Sequence, residues 1–319
     1  MNPVLARLAA LDAAEFGTGL SSQNARACWS TALACADLAD NRRPLPGTRP
    51  RAVAIIASAN VFTAPLEWAY QLASRGVHVV LKAASAQRAS AAAIGRIEGV
   101  EVQHWRGGDL AAEAAALSRV DAAIVFGASS TIDAIRARAR CHIIGLGPMF
   151  GVSFWTGDGG ALARDAALYD GRGCMSPAAV VGPSIDLDAL SRAMSAEEER
   201  LPRGRVSPEE ASEIRRLAFL AQATGAWREG PGWAVARLPL SRLQPRGLPR
   251  VLCVYEGDHN EIIDALAPWR HQVGTVAGPV PGDYPQARRC DPGAMQVPPG
   301  SRSFHDGINV MEALWRRSS

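Results

Sequence analysis

From Ala52 onward, short apolar runs alternate with amphipathic stretches at a steady interval. "AVAIIAS" (52–58), "VHVVLK" (77–82), "VEVQHW" (100–105), "AAIVFG" (122–127) and "HIIGLG" (142–147) are too short for buried helices and rich in β-branched residues, so they read as strands. Between them, "APLEWAYQLASRG" (64–76), "AQRASAAAIGRIEG" (86–99), "DLAAEAAALSRV" (109–120) and "TIDAIRARAR" (131–140) read as helices, the first closed by Gly76. Strands that are apolar on both faces and alternate with helices predict a doubly wound α/β domain around a parallel sheet.

The texture changes after residue 150. "WAVARLPL" (233–240), "RVLCVYEG" (250–257) and "QVGTVAG" (272–278) read as strands of a second, mixed sheet, with helices at "DLDALSRAMSAEEER" (186–200), up to about residue 223, and at "NEIIDALAPW" (260–269). The remaining tail is rich in Pro and Gly and too long for a simple connection. The expected organisation is therefore a doubly wound α/β domain (1–147), a second α/β domain (148–275), and a tail (276–319) packing back on the first domain or on an interface.

Composition narrows the function classes. Among the 319 residues, 48% are hydrophobic and 20% charged, the balance of a soluble globular protein. The net charge of +3 is small and its basic residues are scattered, which disfavours nucleic acid as a partner. Cysteines 28, 35, 141, 174, 253 and 290 lie far apart, without a CxxC pair or a histidine at ligand spacing, so no metal site is expected. "MNPVLARLAALDAAEFG" lacks the basic and apolar regions of a signal peptide and reads as an amphipathic helix of a cytoplasmic protein. No run reaches the roughly 18 apolar residues that span a bilayer.

Ligands of open α/β sheets bind beyond the carboxyl ends of the strands. Three such ends are Ser58-Ala59-Asn60, Lys82-Ala83-Ala84-Ser85 and Gly127-Ala128-Ser129-Ser130-Thr131. The third opens a helix whose N-terminus suits a phosphate, although Ser and Thr there also serve as ordinary N-caps. Asn60 has the same two readings, cap or side-chain donor. Cys174, in "DGRGCMSP" (170–177), is either a small core residue or a nucleophile carried on a glycine loop.

Taken in order, these stretches resemble the aldehyde dehydrogenase superfamily: "SANVF" with Asn60, "VVLKAAS" with Lys82, "VFGASST" with Phe126, Gly127, Ser129, Ser130 and Thr131, and "GRGCMSP" with Cys174. The resemblance implies that Cys174 attacks a carbonyl and Asn60 donates to the oxyanion. It also implies that Lys82 contacts the adenosine ribose and that the Gly127–Thr131 turn lies beside the cofactor phosphates. The superfamily's Glu-Leu-Gly-Gly carboxylate, which activates water in hydrolytic members, is replaced by Gly145 in "IIGLGPM", so a thiol or a hydride must resolve the acyl enzyme. Ala83-Ala84-Ser85 stands for the common Pro-Ser-Glu. With no carboxylate to repel a 2′-phosphate and with Arg88 nearby, NADPH is implied rather than NADH.

"DGRGCMSP", "RRCDPGAMQVPP" (288–299) and "FHDG" (304–307) are similar to stretches of the acyl-CoA reductases of bacterial luminescence systems. Against that family the region before Ala52 is abbreviated, and Phe62 stands where a proline is usual. The implied activity is NADPH-dependent reduction of an acyl-CoA or acyl-carrier-protein thioester to an aldehyde through acyl-Cys174, with a homo-oligomer among the candidate assemblies. His305 is a candidate proton donor in an Asp-Gly turn, and Arg172 and Arg289 either meet a donor phosphate or are plain surface residues. A CoA-acylating aldehyde dehydrogenase, an acyl-phosphate reductase and a non-catalytic nucleotide- or carrier-binding member of the family are the alternatives.

Overall fold

The computed structural model describes residues 2–38, 44–297 and 304–316. Its contacts divide the chain into two units: Met1–Thr18, Cys28–Pro148 and Gly300–Ser319 form one, and Gly19–Ala27 with Met149–Pro299 forms the other.

The first unit is built on five parallel strands, β1 (Ala52–Ile56), β2 (His78–Lys82), β3 (Val100–Gln103), β4 (Ala122–Phe126) and β5 (His142–Leu146), in the order β3-β2-β1-β4-β5. All five strands predicted from the apolar runs are present. Its helices are α1 (Pro3–Ala9), most of α2 (Ser22–Leu38), α3 (Ala64–Ala73), α4 (Arg88–Ile94), α5 (Leu110–Leu117) and α6 (Ser129–Arg138). Alternate strand positions serve opposite faces. Ala54, Val80, Ala123 and Val125 pack with Leu117, Ile132 and Ile135 of α5 and α6, while Val53, Ile55, Val79 and Leu81 are fully buried in between.

Helix α4 is shorter than its apolar pattern. It ends at Gly95, where a Cβ would lie 2.7 Å from Val102 Cγ2, so glycine lets the helix end close against β3. The strand order reverses between β1 and β4, and the loops after these two strands therefore flank the switch point where such sheets take their ligands.

The second unit holds a seven-stranded sheet ordered β12-β11-β6-β7-β10-β9-β8: β6 (Phe150–Phe154), β7 (Pro177–Gly182), β8 (Ala226–Glu229), β9 (Ala234–Arg237), β10 (Val251–Glu256), β11 (Val273–Ala277) and β12 (Arg288–Cys290). Only β8 runs antiparallel to its neighbour, which makes the sheet mixed. Helices α7 (Gly159–Ala167) and α8 (Leu187–Arg200) bury Leu162, Ala166, Leu190 and Met194 against one face. Helices α9 (Pro208–Thr224) and α10 (His259–Leu266) bury Leu217, Ala221, Ile262 and Leu266 against the other. A reciprocal capping box between Ser207 and Glu210 starts α9.

The Pro- and Gly-rich tail is not a uniform segment. Arg288–Cys290 adds β12 to the edge of this sheet, a strand too short and too charged for the apolar pattern to reveal. Farther on, Phe304–His305 pairs with Ile308–Asn309 in a hairpin of the first unit, ahead of the closing helix Val310–Arg316. Pro298 and Pro299 of the "QVPP" stretch lie outside the described residues.

Candidate active site

Three consecutive residues after α7, Tyr169, Asp170 and Gly171, have φ of 57°, 53° and 71°. Non-glycine residues rarely take this left-handed conformation, so something must hold Tyr169 and Asp170 in it. Past this reversal, Ser176 N–H donates to Gly173 O at 2.9 Å, closing a turn with half-buried Cys174 and Met175 at its centre, and β7 starts at Pro177. Cys174 is therefore presented on a tight turn rather than buried within a strand or helix.

The holding element is the fully buried Asp170. Its Oδ1 accepts from Asn24 Nδ2 at 2.9 Å and Arg250 Nε at 3.0 Å, and its Oδ2 from Arg172 Nη1 at 3.1 Å and Gly204 N–H at 3.0 Å. Its carbonyl accepts from Arg250 N–H at 3.0 Å. Arg250, 1% exposed and itself left-handed at φ 55°, also donates from Nη1 to Glu198 at 2.9 Å. Arg172 completes the frame with a fork onto Glu210 at 2.8 and 3.0 Å and a bond to Arg205 O at 2.8 Å. Although burial works against its charge, the Glu210 partner holds the Arg172 guanidinium above its ordinary pKa. Arg172 thus serves the loop's own framework, and Arg289 reaches Gly282 O at 3.0 Å.

A second set of bonds reaches the far side of the turn. Ser176 Oγ accepts from Gln296 Nε2 at 2.7 Å, and Arg288 Nη2 donates to Met295 O at 2.5 Å. Asp165 of α7 accepts from Gly293 N–H at 2.7 Å and Met295 N–H at 2.9 Å, so the 293–296 strap is tied both to α7 and to the residue two beyond Cys174. Gly151 sits under it: a Cβ there would lie 2.4 Å from Met295 Cε and 2.6 Å from Ser176 O.

Burial raises the Asp165 carboxyl to about 6, against which its two backbone bonds work only in part. Because the folded value lies above the ordinary 3.8, this group's contribution to stability is full below about pH 4 and is lost as pH rises through 6. The gap between wild type and Asp165→Asn in urea melts should therefore widen in favour of wild type by about 2 kcal/mol between pH 7 and pH 4. A gap constant with pH would refute this assignment.

The other cysteines are poor candidates for a nucleophile. Cys28, Cys35 and Cys253 are buried, and desolvation pushes Cys253 up to about 11. Of the remaining two, Cys290 is raised to about 11 and Cys141 is also raised, in both cases chiefly by burial.

In the first unit, the loops named from the sequence all lie at the carboxyl end of the sheet. Asn60 is exposed in the loop after β1, and the N-cap of α3 is Thr63, so Asn60 is not that helix's cap. Gln87 donates its side-chain amide to Ala59 O, linking this loop to the 3-10 turn Ser85–Gln87. Phe62, 2% exposed, anchors it by packing on Phe16 and Trp29 at centroid distances of 6.2 and 6.3 Å. Phe62→Ala should cost about 3–5 kcal/mol, read as a lower thermal midpoint.

Lys82 ends β2 with its ammonium 5.9 Å from the Trp105 ring, and Ser85 and Arg88 are exposed beside it. Trp105 also lines a cavity of about 330 Å³ with Gln103, His104, Ala112, Ala116 and Arg119. Half-buried Phe126 and Gly127 lead to exposed Ser129, Ser130 and Thr131 in the first turn of α6. The N-cap of that helix is Ala128, which offers no side-chain bond, so the serines do not cap it. At Gly145 a Cβ would fall 2.3 Å from Ile132 Cγ2, so β5 packs directly on α6 at this glycine.

His305 packs edge-on against Phe126 at 6.4 Å, and its Nδ1 lies 2.7 Å from Asp306 Oδ1. Asp306 and Gly307 are both left-handed, as a two-residue hairpin turn requires. Sequence reasoning missed Asn24, Asp165, Asp170, Arg250, Gln296 and Trp105. Signals existed for Asp170, in the Asp-Gly-Arg-Gly stretch before the cysteine, and for Gln296, inside the "RRCDPGAMQVPP" stretch. Among the described residues, no group of three His, Cys, Asp or Glu side chains is placed to hold a metal, and no helix is long and apolar enough to cross a membrane.

Solved structures with the same fold include aldehyde dehydrogenases. An NAD-dependent benzaldehyde dehydrogenase from Corynebacterium glutamicum superposes with a TM-score of 0.63 at 14% identity, covering 95% of this chain and 82% of that one. A mutant aldehyde dehydrogenase C from Pseudomonas syringae, in complex with NAD+ and octanal, gives 0.62 at 15% identity over 86% and 71%. The NADP-dependent glyceraldehyde-3-phosphate dehydrogenase from Bacillus halodurans C-125, complexed with NADP, gives 0.60 at 16% over 86% and 72%. The fold class is therefore that of the aldehyde dehydrogenases. A family model described as acyl-CoA reductase (LuxC) matches residues 90–317, and the chain belongs to that family of oxidoreductases. No curated protein matches the chain.

Proposed function

We propose that the protein reduces an acyl thioester, carried on coenzyme A or an acyl-carrier protein, to an aldehyde with NADPH as donor. The observation that carries this reading is Cys174: a half-buried thiol at the centre of a turn locked from beneath by Asp170, in a chain of the acyl-CoA reductase family.

In this reading Cys174 Sγ attacks the thioester carbonyl. A new S–C bond forms as the bond to the carrier sulfur breaks, and the carrier leaves as a thiol after gaining a proton. Asn60 donates to the oxyanion, an interaction worth about 3 kcal/mol in comparable sites. The residues at the sheet's carboxyl end fit a dinucleotide, because the first turn of α6 has no side-chain cap competing for its N–H groups. Lys82, Ser85 and Arg88 would hold the adenosine end, and Phe126, Gly127, Ser129, Ser130 and Thr131 the diphosphate end. When bound, the reduced nicotinamide supplies the hydride. With the hydride on the acyl carbon, the carbonyl re-forms as the Cys174 Sγ–C bond breaks, releasing the aldehyde, and the Cys174 thiolate takes a proton, with His305 as the candidate donor. Gly145 supplies no base for water, so the acyl group waits on the cysteine for hydride.

Intact-protein mass spectrometry with acetyl-, octanoyl- and palmitoyl-CoA, and with the same acyl groups on acyl-carrier protein, tests this. A gain of one acyl group that is absent in Cys174→Ala and disappears on adding NADPH is expected. No adduct from any donor would overturn the reading in favour of a non-catalytic binding role.

A further inference from the structure

We propose that Asp170, with Arg250 and Asn24, forms a positioning device for Cys174, acting through the backbone rather than by touching substrate. The inference rests on the reading of Cys174 as the nucleophile. Asp170 is four residues before the cysteine and spends all its acceptor capacity on four donors from four separate segments: Asn24 on α2, Arg172, Gly204, and Arg250 ahead of β10. Two of these partners are fully buried with it, Asn24 at 0% and Arg250 at 1% exposure.

Such a constellation exceeds what a connection between a helix and a strand needs. The cores on both faces of the sheet already fix α7 and β7. What the ionic cluster adds is a locked path for residues 169–171, held left-handed by bonds from side chain and main chain alike. Arg250 is left-handed too, so each member of the pair holds the other in an unfavourable conformation. Asn24 also donates to Ala167 O at 2.9 Å, fixing the last turn of α7 relative to the same carboxylate. From Gly171 only two residues lead to Cys174, and Ser176 is tied independently by Gln296. The thiol is thus suspended between two fixed points, an arrangement that sets the position of Sγ without adding a group to the reacting atoms.

The test compares wild type, Asn24→Ala, Arg172→Lys and Asp170→Asn under conditions where circular dichroism shows each to be folded. Steady-state reduction of octanoyl-CoA should show kcat lowered about 100-fold in Asp170→Asn, the loss expected from roughly 1 Å of misplacement, with KM nearly unchanged. Asn24→Ala should lose roughly tenfold, and Arg172→Lys, the conservative change, less. Alkylation of Cys174 by iodoacetamide, quantified on its peptide with Cys141 as internal reference, should move the opposite way and become faster as the turn loosens. A merely structural cluster would lower the melting temperature and leave both rates at the wild-type value, and that result overturns the proposal. If wild type forms no acyl adduct with any donor, the reading of Cys174 falls. Alkylation then decides positioning by itself: faster reaction at Cys174 alone upholds it, and equal rates in all four proteins overturn it.

Discussion

Cys174→Ala should abolish aldehyde formation, lowering the rate on the order of 10⁴-fold or more, while shifting the melting temperature little. The asymmetry follows from where the residue sits. Cys174 is half-buried on a turn whose integrity depends on Gly173, Ser176 and the Asp170 cluster, so truncation to alanine removes one sulfur and no tie. The other half-buried thiols, Cys141 and Cys290, are raised by burial and cannot substitute for it. Their alanine variants should keep wild-type activity. With the wild-type protein, acyl enzyme formed without NADPH should persist, because β5 presents Gly145 packed on Ile132 instead of a carboxylate. Following NADPH absorbance and free coenzyme A together separates these cases: release of the thiol without NADPH oxidation, beyond one equivalent, would mean that water resolves the intermediate and would contradict the role assigned to Gly145.

The parallel sheet was legible because its strands are buried on both faces. Val53, Ile55, Val79 and Leu81 leave no polar alternation to confuse the reading, and the intervening helices are amphipathic. Strand β12 was not legible: Arg288-Arg289-Cys290 forms a strand because its neighbour β11 offers an open edge, a fact of tertiary structure alone. The same distinction applies to the site. Cys174, Asn60 and the Gly127–Thr131 turn stand out through local spacing around glycine and strand ends. Asp170 is marked only by its place in the glycine stretch before the cysteine, and its partner Arg250, 80 positions away, carries no such mark; an arginine ahead of an apolar strand reads as a solvated strand end until the fold closes around it. Phe62 shows a third situation. Noted in the sequence only for standing where a proline is usual, it packs on Phe16 and Trp29, an aromatic partner set that makes it the loop's anchor.

A large loss of stability is expected at Arg250. Its guanidinium meets Asp170 at 3.0 Å and Glu198 at 2.9 Å with almost no exposure, so Arg250→Met leaves one fully buried carboxylate and one largely buried one without their main cation. Removing one partner of a buried pair costs about 3–5 kcal/mol, mainly through the charge left behind. For a chain of this size that corresponds to roughly 4–8 °C in the melting temperature. Arg250→Lys should recover only part of the loss, since a single ammonium cannot reproduce a fork that serves Asp170 and Glu198 at once. The discriminating variant is the double change Asp170→Asn with Arg250→Met. If the penalty of the single change is an unpaired charge, neutralising Asp170 relieves it and the double variant melts above Arg250→Met, with a coupling energy well outside additivity. Were Arg250 held only by its packing, the two losses would add and the double variant would melt lower still.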